Sequence, residues 1–413
     1  MRLHAIVFTL VALTSQLAFH AYFYRRLVHD TGLSRRARRV ALGVMIVLGV
    51  SVPLTMALHR ARLAGVADAM AWVSFFWMAL LALTVLALAV IDAGRLAVSL
   101  VHRLRRRSHR AAAVSKPEAR SPEPEAPLAL TADIDRRTVL ARLTGGAALA
   151  VAGGAVAVGA KNALGAHRIV DVPVTLPRLG RDLDGFTIVQ ITDLHAGLTI
   201  GRGYVEDVVA RALALRPDLI AVTGDIVDGT VAHLRDRVAP LADLRAPHGV
   251  FVVTGNHEYY SGADAWLAEL TRLGLRPLRN ARVRLTRGAA GLDLAGVDDF
   301  DAARFGGDHG ADYARALADR DPAVPVVLLA HQPRQVHAAA AHGVDLQLSG
   351  HTHGGQLWPW HYIVKAQQGG YVAGHYRVGA TQLFVCRGCG YWGPPVRLGA
   401  PPEIARIILR APA

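Results

Sequence analysis

The stretch that decides the fold is FTIVQITDLHAG, residues 186–197, in which a short apolar and β-branched run ends in Asp193 and His195. Five later runs repeat this design, with amphipathic stretches between them. They are DLIAVTGD (218–225), GVFVVTGNH (249–257), LDLAGVDD (292–299), VPVVLLAH (324–331) and DLQLSGHTH (345–353). Such an alternation predicts an α/β sandwich with a largely parallel, buried sheet.

Residues that can bind a metal ion end five of these six strands. They are Asp193 and His195, Asp225, Asn256 and His257, His331, and His351 with His353. Open α/β sheets place their ligand sites beyond the carboxyl ends of the strands, so these side chains are expected to converge. Imidazole nitrogens mixed with carboxylate and carboxamide oxygens favour Mn, Fe or Zn over Ca or Mg. Because six or seven ligands are too many for one ion, the set predicts two divalent ions that share a carboxylate.

The conformation of the DLH (193–195) and HTH (351–353) motifs is also predicted. Alternate residues of an extended chain point to the same side, so each motif is expected to be extended with its two polar residues facing one metal centre. The neighbouring glycines, among them Gly255 and Gly350, are expected to allow tight turns and close approach of the backbone.

The motifs DLH, GD, GNHE, a lone histidine after a strand, and GHTHGGQ, in this order, resemble those of the calcineurin-like metallophosphoesterases, especially bacterial membrane-associated members. The resemblance covers about 168–413 and implies a β-sandwich flanked by helices. It implies these metal ligands: Asp193, His195 and His353 for the first ion, Asn256, His331 and His351 for the second, and Asp225 between them. With Asp225, His257 would be a catalytic residue, a histidine that is not a ligand and helps to stabilise or protonate the departing oxygen. The implied reaction is hydrolysis of a phosphodiester, phosphomonoester or pyrophosphate by a hydroxide that two metal ions activate.

The N-terminal part of the chain has a different composition. The chain carries a formal charge of +14, but residues 1–165 hold 21 Lys and Arg against 8 Asp and Glu, whereas residues 166–413 hold 25 against 24. The later part therefore lacks the basic excess of a nucleic-acid-binding protein, and no nucleic acid is expected as a partner. Three apolar runs, 3–24, 40–58 and 70–93, come close to the roughly 20 residues that cross a bilayer and predict an all-α transmembrane region over 1–107.

Arginines in the connecting segments predict the orientation of these helices. Arginine-rich segments follow the first and third spans, whereas only Arg60 and Arg62 lie between the second and third. By the positive-inside rule the arginine-rich segments are cytoplasmic.

The chain then passes through a Pro, Ala and Glu-rich segment, 108–134, which is expected to be a flexible linker. The next segment, 135–166, opens with Arg136-Arg137 and predicts either a twin-arginine export signal or a fourth transmembrane helix. Both alternatives place the predicted binuclear metallophosphoesterase domain, 167–413, on the extracytoplasmic side of a multi-pass cell-membrane protein.

The metal ligands do not distinguish one phosphoester substrate from another. A catalytic domain held at a membrane favours a phospholipid or a lipid-linked pyrophosphate, and four aromatic residues are candidates to contact acyl chains: Trp358, Trp360, Tyr362 and Trp392. Packing within loops is the alternative interpretation of these aromatics. An alternative of another class is a membrane sensor or scaffold whose phosphoesterase domain mainly binds a phosphorylated ligand. Cys386 and Cys389 form a C-x-x-C pair, for which a small disulfide is a possible state outside the cytoplasm.

Overall fold

The computed structural model describes residues 2–61, 63–112 and 135–413. These residues form two compact units. One is built mainly of residues 51–76 and 156–413, and the other of residues 4–50 and the described part of 77–155. The first unit contains all the described strands, and the second contains most of the N-terminal helical residues.

The strands form two six-stranded sheets. In chain order they are β1 (Arg168–Thr175), β2 (Thr187–Ile191), β3 (Leu219–Thr223), β4 (Val250–Val253), β5 (Arg276–Pro277), β6 (Ala281–Arg287), β7 (Ala290–Gly296), β8 (Val326–Leu329), β9 (Leu346–Ser349), β10 (Gly374–Val378), β11 (Thr381–Val385) and β12 (Glu403–Arg410). The first sheet has the order β1-β12-β2-β3-β4-β5, and the second has the order β10-β11-β9-β8-β7-β6.

Parallel pairing dominates the middle of both sheets. Strands β2, β3, β4 and β5 are parallel, as are β7, β8, β9 and β11. The last strand, β12, lies between β1 and β2 and runs antiparallel to β2. The six predicted strands are β2, β3, β4, β7, β8 and β9, so the predicted α/β sandwich is confirmed, with two sheets where the alternation alone predicted one.

Eleven α-helices occur in the described residues. They are α1 (Arg2–Tyr24), α2 (Arg35–Arg60), α3 (Ala64–Ala112), α4 (Arg136–Leu164), α5 (Arg202–Ala214), α6 (Val231–Val238), α7 (Asn256–Ser261), α8 (Ala263–Arg272), α9 (Tyr313–Ala316), α10 (Val336–Ala341) and α11 (His361–Gln367). Buried residues of α5, α6 and α8 pack with β2, β3 and β4 in one apolar cluster, and residues of α9 and α10 pack with β7 and β8 in another. Helices therefore cover the outer faces of both sheets.

The main apolar core lies between the two sheets. Residues of the first sheet, such as Phe251, pack there with residues of the second, such as Leu292, Leu329 and Phe384. Burying one such side chain contributes about 1.5–3 kcal/mol. A polar link crosses the same interface, because the buried Gln190 amide on β2 donates to the backbone oxygen of Ser349 on β9 at 3.0 Å. This bond ties together two strands whose carboxyl ends carry predicted metal ligands.

Three helices within the described residues are long and apolar enough to cross a membrane: Arg35–His59, Gly65–Arg106 and Arg136–Leu164. They correspond to the second and third predicted spans and to the alternative of a fourth helix at 135–166. The first predicted span, 3–24, falls in α1, where the side chains up to Thr9 lie outside the described part of the structure. That span stays a prediction.

Helix α3 differs from the sequence prediction in length. It continues to Ala112, beyond the predicted end of the transmembrane region at 107 and into the predicted linker. Arg110, Ala111 and Ala112 in this extension have high helix propensity, which favours a longer helix. The rest of the predicted linker, 113–134, lies outside the described residues, and the predicted boundaries of the four segments stay predictions.

Candidate metal centre

The predicted ligands come together at the carboxyl ends of five strands from both sheets. Asp193 follows β2, Asp225 follows β3, Asn256 follows β4, His331 follows β8, and His351 follows β9. Parallel strands bring these ends to one edge of each sheet, and packing of the two sheets brings the edges together. All eight predicted site residues are buried or half-buried there.

One group of potential ligands consists of Asp193, His195 and His353, whose ligand atoms all lie within 4.8 Å of one another. The Nε2 atoms of His195 and His353 face each other at 3.0 Å, and His353 Nε2 lies 3.5 Å from Asp193 Oδ1. This is the set that the sequence assigned to the first ion.

A second group consists of Asp225, His331 and His351, again with ligand atoms within 4.8 Å of one another. His331 Nε2 lies 3.0 Å from Asp225 Oδ2 and 3.2 Å from His351 Nδ1. The other ring nitrogen of His331 lies 2.7 Å from the backbone oxygen of Thr223. A donor bond to that oxygen fixes the tautomer that leaves Nε2 with a free lone pair.

Asn256 supplies a test of whether these residues fit a metal. Its side-chain oxygen is buried and has no hydrogen-bond partner among the described residues. A buried carboxamide oxygen without a partner costs about 1–3 kcal/mol, so such an atom needs an explanation. Coordination of a cation supplies one, and it agrees with the donor set of imidazole, carboxylate and carboxamide. The residues therefore fit the divalent ions that the sequence predicted.

The backbone at the site is strained. Five predicted site residues have positive φ values, namely Asp193 (54°), His195 (51°), Asp225 (52°), His351 (70°) and His353 (51°). This left-handed region is uncommon for residues other than glycine, and such residues concentrate at functional sites. The prediction of extended DLH and HTH motifs is therefore wrong. A turn at each ligand directs its side chain into the crevice, whereas a continuing strand would carry it past.

Two glycines allow the loops that carry the candidate ligands to approach each other closely. A Cβ atom at Gly255 would collide with the carboxylate of Asp225, and one at Gly350 would collide with that of Asp193. The expectation of close backbone approach at these positions is confirmed.

Asp228 is a site residue that the sequence analysis missed. Its Oδ1 lies 2.9 Å from His195 Nδ1 and 2.6 Å from His257 Nδ1. A carboxylate on the outer nitrogen of a metal-binding histidine orients the ring and raises its basicity. The signal in the sequence is the spacing GDIVD, with a second aspartate three residues after Asp225.

The side chain of His257 is half-buried and lies near the carboxylates of Asp225 and Asp228. Burial lowers the pKa of His257, but the carboxylates of Asp225 and Asp228 outweigh it and raise the pKa to about 9. A protonated imidazole fits a proton donor. His257 also forms a group with His195 and Asp225 whose ligand atoms lie within 4.8 Å of one another, so the distances suit a ligand as well.

Glu258, the last residue of GNHE, has a structural role. Its buried carboxylate accepts hydrogen bonds from the backbone N–H groups of Gly255 (2.6 Å), Ile226 (2.7 Å) and Asp225 (2.9 Å). These bonds hold the loop after β3 against the loop after β4. Glu258 thereby fixes the position of Asp225 between the two ligand groups.

The C-x-x-C segment lies next to the end of the strand that precedes Asp193. Cys386 and Cys389 are both buried and form no disulfide. Cys389 Sγ lies 3.2 Å from the backbone oxygen of Thr192, directly before Asp193. Burial raises the pKa of the Cys389 thiol to about 12, so both packing and protonation oppose a redox role.

Arg397 is a second residue that the sequence analysis missed. Its guanidinium group is fully buried and donates to the backbone oxygen of His353 at 2.8 Å and to that of Arg387 at 2.9 Å. Nη2 of Arg397 lies 3.1 Å from His353 Nδ1. These bonds therefore connect the C-terminal loops to His353, a predicted metal ligand.

Comparison with known proteins identifies the family. A sequence profile of the calcineurin-like phosphoesterase domain matches residues 186–355. An uncharacterized metallophosphoesterase of Helicobacter pylori is 38% identical over 244 residues, which cover 59% of this chain and 64% of that protein. A Bos taurus transmembrane protein with a metallophosphoesterase domain is 38% identical over 269 residues, which cover 62% of this chain and 60% of that protein. The chain thus spans less than two thirds of the length of these two relatives.

A shorter relative is matched over most of its length. An uncharacterized metallophosphoesterase of Aquifex aeolicus is 36% identical over 230 residues, which cover 54% of this chain and 84% of that protein. The segment that the family profile matches, 186–355, contains the strand ends that carry the candidate ligands. The chain belongs to the calcineurin-like metallophosphoesterase family.

Proposed function

We propose that this chain is a membrane-anchored phosphoesterase that hydrolyses a phosphodiester, phosphomonoester or pyrophosphate with the help of two divalent ions. The observation that carries the proposal is the meeting of two ligand groups at one edge of the sandwich, with Asp225 within reach of both. Asp225 Oδ2 lies 3.0 Å from His331 Nε2 of one group and 3.8 Å from His195 Nε2 of the other. A carboxylate in this position suits a bridge between two ions.

Each predicted ligand has a role in this proposal. Asp193, His195 and His353 would hold the first ion, Asn256, His331 and His351 would hold the second, and Asp225 would be shared. Burial raises the pKa of Asp225, but the neighbouring histidines outweigh it and hold the pKa well below its usual range, so the carboxyl is an anion. Burial, the largest cause, lowers the pKa of His351 to about 3, which keeps this imidazole neutral. These protonation states suit metal ligands.

Two divalent ions in such a site, Mn, Fe or Zn by the donor set, supply Lewis-acid stabilisation of the phosphoryl oxygens and lower the pKa of water. Water is the co-reactant. Its oxygen forms the new bond to phosphorus, the ester P–O bond breaks, and the departing oxygen takes a proton. His257 is placed to donate that proton, and Asp228 holds the imidazole through Nδ1 at 2.6 Å, so the opposite nitrogen is free to face the substrate.

The test measures metal content and turnover on one sample of the full chain in detergent. Protein stripped with EDTA is reloaded with Mn, Fe or Zn and assayed on bis-p-nitrophenyl phosphate, nucleotides, phospholipids and pyrophospholipids. We expect two metal equivalents per chain and turnover only after reloading. The variant His331→Ala should lose one equivalent and activity, whereas His342→Ala, at an exposed histidine, should retain both.

Other outcomes would contradict specific parts of the proposal. A single metal equivalent at full turnover would overturn the two-ion site. A fully loaded protein that hydrolyses no ester of the panel would favour the alternative, a sensor or scaffold that binds a phosphorylated ligand.

The proposal includes an extracytoplasmic catalytic domain attached to the cell membrane by α4. Asn162, near the end of α4, donates from its side-chain amide to the backbone oxygen of Arg397 at 3.1 Å, which supports an α4 that remains attached. The arginine-rich segments after the first and third predicted spans support the orientation. Intact mass of the membrane-extracted protein tests cleavage near Ala166, and labelling of an Arg245→Cys variant from outside intact cells tests the orientation. Loss of the first 160 or so residues, or labelling only after lysis, would contradict these assignments.

A further inference from the structure

A group of large apolar side chains in the segment that follows His353 is exposed to solvent. Trp358, Trp360, Tyr362, Ile363 and Trp392 are between 44% and 64% exposed, and we call them the aromatic rim. Helix α11, which contains two of them, has no buried residue. A helix without a buried face lacks the packing that normally stabilises it, so this surface is suited to contact with something outside the domain.

The rim lies in a segment with an unusual charge distribution. Residues 354–402 contain no Asp or Glu but include Lys365, Arg377, Arg387 and Arg397. Lys365 and Arg377 are exposed, whereas Arg397 is buried. An aromatic surface with exposed cations and no acidic residue matches the headgroup region of an anionic bilayer, in which Trp and Tyr are enriched.

One set of contacts connects the segment that carries the aromatic rim, residues 354–402, to α4, a candidate membrane helix. The backbone N–H of Arg397 donates to the backbone oxygen of Gly159 at 2.9 Å, and a Cβ atom at Gly159 would collide with Val396. Gly159 lies near the end of α4, which is long and apolar enough to span a membrane. Trp358 is joined to the same segment, because its N–H donates to the backbone oxygen of Leu398 at 3.0 Å.

A second set of contacts connects the loop after Asp228 and helix α6 to the turn between α2 and α3. A Cβ atom at Gly229, directly after Asp228, would lie 3.3 Å from Nε2 of His59, so the two residues are close neighbours. Arg237 on α6 forms an ion pair with Asp68 on α3 at 2.6 Å. His59 and Asp68 flank the turn between two candidate membrane spans, so this contact also lies at the end of membrane helices.

Each of these two contacts adjoins a residue that lies close to His257. Asp228, next to one contact, binds His257, and the ring of Trp392, next to the other, lies 5.8 Å from the ring of His257. We propose that the aromatic rim rests in the headgroup region of the bilayer that α2, α3 and α4 cross. The metal centre then opens toward lipid headgroups, and its substrate is a phosphoester carried by a membrane lipid. The substrate assignment rests on the proposed phosphoesterase function, whereas bilayer contact of the rim can be tested without it.

The first test measures that bilayer contact. The full chain with Trp360→Cys is labelled with a bimane fluorophore and reconstituted into vesicles of phosphatidylcholine and phosphatidylglycerol with brominated acyl chains. The native cysteines are fully buried and are not expected to react. The matched control is Arg245→Cys, an exposed position before β4 and therefore at the opposite end of the sheet. We expect brominated lipid to quench the label at 360 and to leave the label at 245 unchanged. Equal quenching at both positions, or none at 360, overturns the proposal.

The second test distinguishes lipid from soluble phosphoesters. Wild-type protein and the double variant Trp358→Ser/Trp360→Ser are assayed on vesicles containing phosphatidic acid or phosphatidylglycerol, on glycerol 3-phosphate, and on bis-p-nitrophenyl phosphate. We expect the double variant to lose about tenfold on vesicles, which corresponds to about 1.4 kcal/mol, and to keep its rate on the soluble diester. The control Phe300→Ser changes a side chain of similar exposure in the loop after β7.

The outcomes separate failure of this inference from failure of the proposed function. Hydrolysis of the soluble diester without hydrolysis of either lipid would overturn the lipid substrate and leave the phosphoesterase assignment standing. An equal loss on vesicles and on the soluble diester would show that the rim supports the site itself and would also overturn the inference. Absence of turnover on every substrate, with bilayer contact at position 360 confirmed, would place the failure in the proposed function.

Discussion

The core between the sheets and the carboxyl edge of the same strands are built by different physical rules. In the core, side chains such as Leu292, Leu329 and Phe384 are apolar, fully buried or nearly so, and belong to one continuous cluster. At the edge, the buried and half-buried candidate site residues are charged or polar, and five of them have positive φ. Burial stabilises the core, whereas burial of unpaired charge and backbone strain destabilise the edge. Substitutions at the edge should therefore affect the reaction more than the fold, and substitutions in the core should do the reverse.

Replacement of Asp225 is expected to have the largest effect on activity. In Asp225→Ala, both ligand groups lose their shared carboxylate, so metal content should fall and phosphoesterase turnover should drop roughly 10³-fold or more, the loss expected for several kcal/mol of transition-state stabilisation. Metal analysis and turnover on bis-p-nitrophenyl phosphate measure both effects. The exposed Asp243→Ala should change neither. Wild-type turnover in Asp225→Ala would refute the assignment of the site.

Replacement of His257 separates a proton donor from a ligand. His257→Ala should reduce turnover by about 10²–10⁴-fold, the usual contribution of general acid catalysis, and should leave metal content unchanged. A substrate with a better leaving group, which needs less protonation, should recover part of the loss. A fall in metal content together with turnover would instead make His257 a ligand, as its distances to His195 and Asp225 also permit.

Replacement of Asp228 should have a smaller effect, because this carboxylate acts through two histidines. Asp228→Asn keeps the size of the side chain but removes the charge that His195 and His257 share. Residues in such positions typically contribute about 10–100-fold to metal affinity or activity, and we expect a loss in this range. Metal titration and a pH–rate profile detect it, because the acid with the raised pKa should titrate at lower pH in the variant. Asp236→Asn on the exposed face of α6 is the matched control, and an equal effect there would argue against a specific role.

Replacement in the core should have the smallest effect on activity and a clear effect on stability. Leu292 is fully buried between the sheets, and Leu292→Ala should cost about 2–5 kcal/mol of the free energy of unfolding. Turnover should be unchanged at temperatures where the variant stays folded. Thermal unfolding and turnover of the same sample check both statements, with Ile169→Ala at a partly exposed position as a control. A core variant that loses turnover while fully folded would show that the core and the edge are coupled.

The sequence predicted six strands in the middle of the two sheets and the candidate ligands that meet at their carboxyl edge. Short β-branched runs predict strands directly. A polar residue at the end of such a run predicts a ligand site, because the carboxyl ends of parallel strands lie at the same edge of the sheet. Residues that support the ligands were harder to predict. Asp228, Glu258 and Arg397 act through bonds to loops that are distant in sequence, and such bonds leave no periodic pattern.

The backbone conformation at the ligands was predicted incorrectly for a related reason. The spacing of DLH and HTH suits an extended chain, but the structure has a left-handed residue at each ligand. That conformation is unfavourable locally and persists because surrounding contacts hold it, among them the N–H of His351, which donates to Asp193 at 2.8 Å. Local sequence preference therefore opposed the observed geometry.

The sequence alone determined which residue types could bind metal, where the strands lie, and which segments are apolar enough for a membrane. Each of these properties depends on composition and spacing along the chain. Only the tertiary structure decided that the strands divide into two sheets, that β12 inserts beside β2, and that one carboxylate serves both His195 and His257. It also placed the exposed Trp392 beside His257, and Arg397 in the same segment next to the end of α4, a candidate membrane span. Those arrangements depend on packing between segments far apart in sequence. Burial and hydrogen bonding depend on how close two groups are in space, whatever their separation along the chain.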